Sequence, residues 1–178
     1  MELIDEYDKN GNYKGVIDKD VAHRDGLWHK AVHVWIVNDD DEIMLQYRCS
    51  KKKFFPNVWD TSFAGHIDAG ETSLDAVIRE GKEELGINVN TSKLTHLFTM
   101  KETLVYKDIK SNEFVDVFLL RDNIKLDTLV LQDIEVGATK YMKIDRFFEA
   151  IKDPEEGIMD HQEEYKQLKK ILKRKIDK

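Results

Sequence analysis

From Gly65 to Ile87 the chain reads Gly-His-Ile-Asp-Ala-Gly-Glu-Thr-Ser-Leu-Asp-Ala-Val-Ile-Arg-Glu-Gly-Lys-Glu-Glu-Leu-Gly-Ile. A helix is written into its second half. Thr72 followed by Asp75 is a capping-box pattern, in which a hydroxyl and an acid three residues on satisfy each other's free backbone N–H groups. Apolar residues recur at Leu74, Val77, Ile78 and Leu85, and Gly86 stops the run. Residues three and four apart share a helix face, so Glu80, Glu83 and Glu84 crowd together. Such repulsion destabilises an isolated helix by roughly 0.2–0.5 kcal/mol per pair. Solvation with neighbouring lysines and arginines can offset it. So can a hard divalent cation such as Mg²⁺, which takes carboxylate oxygens, keeps several waters and gathers phosphates. A glycine loop feeding the helix lets backbone and phosphate approach closely.

Outward from this segment, strands and helices interleave. Leu3–Tyr7 and Tyr13–Asp18 read as short strands around the Asn10-Gly11 turn. Ala31–Asn38 and Glu42–Cys49 are apolar and β-rich, with Asp39-Asp40-Asp41 as a hairpin tip. Trp59–Ala64 reads as one further short strand. Leu94–Tyr106 and Glu113–Arg121 form a longer antiparallel pair joined around Lys107–Asn112. A short helix is expected after Asp145 with Phe147, Phe148 and Ile151, and a last one from about Asp160 with Tyr165, Leu168, Ile171 and Leu172 on one stripe. No internal repeat is visible. One mixed α/β (α+β) domain over residues 1–178 is the expectation.

Composition narrows the function classes. Hydrophobic residues make up 41% and charged residues 35% of the chain, a soluble globular balance. Net charge of −7 argues against broad nucleic-acid binding. Local basic clusters occur at Lys51–Lys53 and at Lys169, Lys170, Lys173, Arg174, Lys175 and Lys178, the latter suiting a helix C-terminus. The single cysteine, Cys49, excludes an internal disulfide, fits a reducing cytoplasm, and reads as a small filler near the core. The acidic N-terminus offers no apolar leader, and no run approaches the ~18–20 apolar residues of a membrane span. A cytoplasmic location and a small-molecule partner are expected, and a homodimer is left open.

The quoted segment resembles the Nudix box, G-x5-E-x7-R-E-U-x-E-E-x-G-U, where U is aliphatic. Gly65, Glu71, Arg79, Glu80, Glu83, Glu84, Gly86 and Ile87 fall on it. Seven fixed positions at average usage match by chance on the order of once in 10⁸ windows. One position departs: Gly81 stands where an aliphatic residue is expected, and a helix-interior glycine costs about 1 kcal/mol relative to alanine. The resemblance implies a mixed sheet sandwiched between helices, with the box as loop–helix–loop, and hydrolysis of a nucleoside diphosphate linked to another moiety with Mg²⁺ or Mn²⁺. It implies Glu80, Glu83 and Glu84 as metal ligands, one of them or a later-loop glutamate (Glu135 is a candidate) as base, and the Gly65 carbonyl as a further ligand. Arg79 would orient a carboxylate and Glu71 would brace the loop.

A wider resemblance runs from about Leu3 to Tyr141. The order Lys19…His23…His29…Arg48…Lys52…Trp59…Gly65-His66…Asn112-Glu113 is similar to type I isopentenyl-diphosphate isomerase, a Nudix-fold relative. It implies a metal site of His23, His29, His66 and Glu113, with Lys19, Arg48 and Lys52 on a diphosphate. Packing or surface roles are the alternatives for each. Two departures speak against isomerase chemistry. Ala64 occupies the place of that family's essential cysteine, and the isomerases' box is degraded, with a basic residue where this chain has Glu80 and no acid matching Glu83; Ser111, in the place of their second metal-binding glutamate, is a further loss. The box carboxylates Glu80, Glu83 and Glu84 are all present here. His33 reads as packed or hydrogen-bonded, and Trp28, Trp35 and Trp59 as core anchors.

Overall fold

The computed structural model describes residues 2–176, with side chains described through Lys173; Lys178 and the side chains of Arg174 and Lys175 in the basic C-terminal cluster lie outside the described residues. In chain order the elements are β1 (Leu3–Tyr7), β2 (Tyr13–Asp18), α1 (Lys19–Asp25), β3 (Trp28–Val37), β4 (Glu42–Arg48), β5 (Trp59–Asp60), β6 (Phe63–His66), α2 (Ser73–Leu85), β7 (Leu94–Tyr106), β8 (Ile109–Arg121), β9 (Val136–Lys143), α3 (Ile144–Ala150) and α4 (Gln162–Ile176). The strands form one mixed sheet, in which β3 runs parallel to β8 and antiparallel to β6, while β4 pairs with β9.

Alternation along β3 sorts the core into two layers. Val32, Val34 and Ile36 pack with Phe63 and with Ala76, Val77 and Leu85 of α2. Trp35 and Val37 pack against Phe147 and Phe148 of α3 and Tyr165, Leu168 and Leu172 of α4. The sheet is therefore sandwiched between helices, as the box resemblance implied. Of the three tryptophans only Trp35 is fully buried; Trp28 and Trp59 are half-buried.

Three expectations need correction. The β3–β4 hairpin is joined at the Val37–Ile43 pair and then splays, because residues 59–66 insert between its arms. Trp59–Ala64 is accordingly not one strand. β5 pairs with β4, β6 pairs with β3, and the chain crosses between them at Ser62, whose hydroxyl donates to the Met44 carbonyl and accepts from the Ile36 amide. This crossing places Gly65 and His66 beside the sheet's centre. On α2, Leu74 and Ile78 are exposed, and the buried side is Ala76, Val77, Gly81, Glu84 and Leu85. Glycine at position 81 has a packing reason: a Cβ there would sit 2.8 Å from Val89 Cγ2 and 3.3 Å from Phe63 Cζ.

The remaining strand and helix expectations hold to within a few residues, with β8 starting four residues early at a tight Lys107-Asp108 turn, where Lys107 has φ 54°. The capping box of Thr72 and Asp75 is formed, and Gly86 closes α2 in the left-handed conformation. Cys49 is buried, its thiol 3.2 Å from the Asp133 carbonyl. Helix α1 and strand β9 went unforeseen. No helix among the described residues is long and apolar enough to cross a membrane.

Candidate active site

The box is organised around Arg79. Its guanidinium grips Glu71 with two bonds, Nε to Oε1 at 3.0 Å and Nη2 to Oε2 at 2.9 Å, the bidentate geometry that fixes a carboxylate most firmly. Nη2 also donates to the His66 carbonyl, and Nη1 to Glu80 Oε1 at 2.6 Å. Glu71 in turn accepts from the Asp68 amide, which closes the loop ahead of α2. One side chain thus ties loop, strand and helix into a single frame.

The three box glutamates differ in surroundings. Glu80 lies against Gly65, where an added Cβ would fall 2.0 Å from its Oε1. Glu84 is fully buried and its Oε2 accepts from Gln46 Nε2 at 2.7 Å and from the Ala64 amide at 3.3 Å. Glu83 is half-exposed and meets Arg79 at 3.3 Å. Burial, reinforced by the Glu84 charge, pushes the Glu80 carboxyl up to about 8 against the pull of Arg79. Burial also raises Glu84, while the charge of Lys52 and the bond from Gln46 pull the other way. Two carboxylates driven toward protonation side by side are a donor set short of one cation.

Lys52 pairs with Glu135, which brings the late-loop base candidate to the Glu84 neighbourhood. Arg48 turns inward. Its Nε and Nη2 donate to the carbonyls of Phe55 and Phe54, and Nη1 reaches Asp60 at 3.3 Å. The loop it grips carries left-handed backbone at Phe55 (φ 46°) and Asn57 (φ 62°), conformations that need such support. Lys19 pairs with Glu2.

His23, His29, His66 and Glu113 do converge: one ligand atom from each lies within 4.8 Å of the others. Glu80, Glu83 and Glu84 do not form a group that tight among the described residues. His29 Nδ1 faces the Leu27 carbonyl at 2.9 Å, so its Nε2 looks into the quartet. Burial pushes His23 down to about 4, with His66 and His29 adding to it. Burial alone would raise Glu113, yet the rings of His29 and His66, 3.6 and 3.7 Å from its Oε1, hold it well below the usual range. Ser111, in the place of the isomerases' second glutamate, donates to Glu113 Oε1 at 2.5 Å. The quartet and the box lie on opposite sheet faces: on β6, Phe63 packs toward α2, and alternation turns Ala64 and His66 the other way.

Sequence reasoning missed a second buried network beneath α4. His33 Nδ1 pairs with Glu164 Oε2 at 2.8 Å, and Trp35 Nε1 donates to Glu164 Oε1. His161 bridges Glu102 (2.7 Å) and Asp60 (3.0 Å). Burial alone would lower His33, but the Glu164 charge and hydrogen bond raise it to about 9. No local motif announces these contacts, since His33 and Glu164 stand 131 residues apart.

Comparison with known proteins decides the family. The NUDIX domain profile matches residues 27–162. The chain belongs to the Nudix family. Nudix hydrolase 3 of Arabidopsis thaliana is 37% identical over 182 residues, covering 98% of this chain but 24% of that longer protein. A Nudix hydrolase of Clostridium acetobutylicum is 32% identical, covering 88% of this chain and 77% of its own. Isopentenyl-diphosphate Delta-isomerase 1 of Photorhabdus laumondii is 35% identical over 123 residues, 67% of this chain and 69% of that protein. Nudix hydrolases and isopentenyl-diphosphate isomerases both stand among the relatives. A Deinococcus radiodurans crystal structure has the same fold, with a TM-score of 0.71 at 19% identity over 97% of this chain and 98% of that one. Nudix hydrolases use divalent metal ions, and this chain has carboxylate and histidine groups able to hold them.

Proposed function

We propose that the chain hydrolyses a diphosphate linkage in a nucleoside-diphosphate-type substrate, with Mg²⁺ or Mn²⁺ held by Glu80, Glu84, Glu83 and the Gly65 carbonyl. The observation that carries this reading is the pair of buried carboxylates, Glu80 pressed on Gly65 and Glu84 beside it, both pushed toward protonation. Hard oxygen donors short of positive charge suit a hard divalent cation. When bound, that cation polarises the phosphoryl group and lowers the pKa of water. The chain's own residues do the rest. Arg79 holds Glu80 and Glu71 in place. Lys52 supplies a positive charge to a phosphate and keeps Glu135, a candidate base, close to Glu84. Arg48 shapes the loop that carries Lys52, and Lys19, paired with Glu2, stands with His23 and His66 on the quartet's side.

The quartet favours a second reading, isomerisation of isopentenyl diphosphate, because its nitrogen-rich donor set suits a divalent metal. Against it stands Ala64, whose methyl cannot transfer a proton. A panel of nucleoside diphosphates, nucleotide sugars and dinucleoside polyphosphates with Mg²⁺ or Mn²⁺, read by product chromatography, tests the first reading; isopentenyl diphosphate in the same panel tests the second. Turnover of a nucleotide that is abolished by Glu84→Gln supports hydrolysis. Interconversion of isopentenyl and dimethylallyl diphosphates without nucleotide turnover would reverse the order.

A further inference from the structure

The sheet face covered by α4 holds ionisable groups that the hydrolytic site does not use. On three adjacent strands, His33, Glu102 and Glu113 each place one ligand atom within 4.8 Å of the other two. Glu102 and Glu113 stand directly opposite each other in the β7–β8 register. Like charges so placed destabilise a sheet unless something neutralises them. Their side chains are only 9% and 8% exposed.

Each of the three is also held from behind. His33 Nδ1 is bonded to Glu164, Glu102 Oε1 accepts from His161, and Glu113 Oε1 accepts from Ser111. What these bonds leave over is the second ring nitrogen of His33 and the second oxygen of each carboxylate. Glu102 Oε2 is buried and has no hydrogen-bond partner. A buried polar atom left unsatisfied costs ~1–3 kcal/mol, more when it carries charge, so this oxygen asks for a partner.

We propose that His33, Glu102 and Glu113 form a further divalent-cation site, distinct from the box, for a transition ion such as Zn²⁺, Mn²⁺ or Fe²⁺. One imidazole and two carboxylates are a donor set of that class. The ion's two charges balance the two carboxylates, and it replaces the proton on His33. Glu164 behind His33 is the carboxylate–histidine backing that fixes a ligand's ring and tautomer. Glu113 also belongs to the His23–His29–His66 quartet, so one carboxylate serves both donor sets and can place two cations on either side of itself.

Co²⁺ is the probe, added to metal-free protein in excess Mg²⁺ so that the box carboxylates are already served. Visible d–d absorption should report two equivalents in the wild-type chain. Glu102→Gln, which keeps the side-chain shape, should weaken one equivalent at least about 100-fold and spare the other. His23→Ala should do the converse. Glu164→Gln should weaken the Glu102-dependent equivalent about 10–100-fold, the usual range for a residue behind a ligand. Far-UV circular dichroism checks folding; if Glu102→Gln does not fold, His33→Gln and the wild-type stoichiometry decide. The proposal is wrong if wild-type protein takes up only the equivalent that His23→Ala removes. It is equally wrong if folded Glu102→Gln or His33→Gln keeps both equivalents at wild-type affinity.

Discussion

The Glu80 carboxylate occupies the space that any side chain at position 65 would need: a Cβ on Gly65 would lie 2.0 Å from its Oε1 and 2.6 Å from its Cγ. Sequence spacing puts the two residues 15 apart; the fold puts them in contact. Gly65→Ala therefore has to swing the Glu80 side chain aside from Cγ outward. Since a displacement of about 1 Å at a catalytic group can cost on the order of 10²-fold, kcat/KM should fall about 100-fold. Melting temperature should fall as well, because the displaced side chain is largely buried and gives up its bond to Arg79. A variant that melts much earlier with unchanged turnover would show that Glu80 is placed for packing alone.

Arg48 and Lys52 read alike in the sequence as cations near a diphosphate, but their surroundings separate them. Arg48 spends its guanidinium on two loop carbonyls and on buried Asp60. Arg48→Ala should lower stability by about 3–5 kcal/mol, as when one partner of a buried ion pair is removed, and Arg48→Lys should not restore it, because an ammonium lacks the planar fork. Lys52→Ala should leave melting unchanged and reduce kcat/KM by about 1–3 kcal/mol, the worth of a hydrogen bond to a charged group. Thermal melts beside steady-state kinetics check both.

How far the sequence reached follows from where each signal is stored. The α2 helix carried its own start, stop and charge pattern between Thr72 and Gly86, so it was legible to the residue. Strand β9 was not, because Val136–Lys143 is mostly half-buried and lacks clean apolar alternation. Helix α1 is seven residues capped by Asp18 and Gly26, too short for a periodic stripe. The His quartet was legible through resemblance. His161 and Glu164 were not, because their partners lie on β5, β7 and β3 and only the folded chain brings them together.

Removing the Glu84 charge should separate chemistry from stability. Glu84→Gln keeps an oxygen able to accept from Gln46 and the Ala64 amide, but it deletes a buried negative charge that burial already disfavours. Turnover should fall by at least about 10²-fold, as for loss of a group that neutralises transition-state charge. In metal-free protein near pH 8 the melting temperature should hold or rise, since the carboxyl's pKa is raised in the fold and its ionisation costs stability there. Calorimetry with and without Mg²⁺ reads the contrast: added Mg²⁺ should stabilise the wild type more than the variant.

The His33–Glu164 pair gives the metal-free protein a defined weakness toward base. His33 titrates near 6.5 when unfolded and is raised to about 9 in the fold by Glu164. A raised folded pKa means that its contribution is fully present below pH 6.5 and is lost as pH climbs through about 9. Glu164, lowered in the fold, works at the opposite end: its contribution is present above the ordinary carboxylate range and disappears as acid protonates it. His161, raised well above its usual value between Glu102 and Asp60, extends the basic limb. Urea unfolding in chelator should therefore show stability declining between about pH 6.5 and 9, by on the order of 3 kcal/mol for His33. His33→Gln should be less stable at pH 6.5 and show a shallower decline above it. A wild-type profile that stays flat across this window would mean that the buried ring is neutral and Glu164 carries the proton instead.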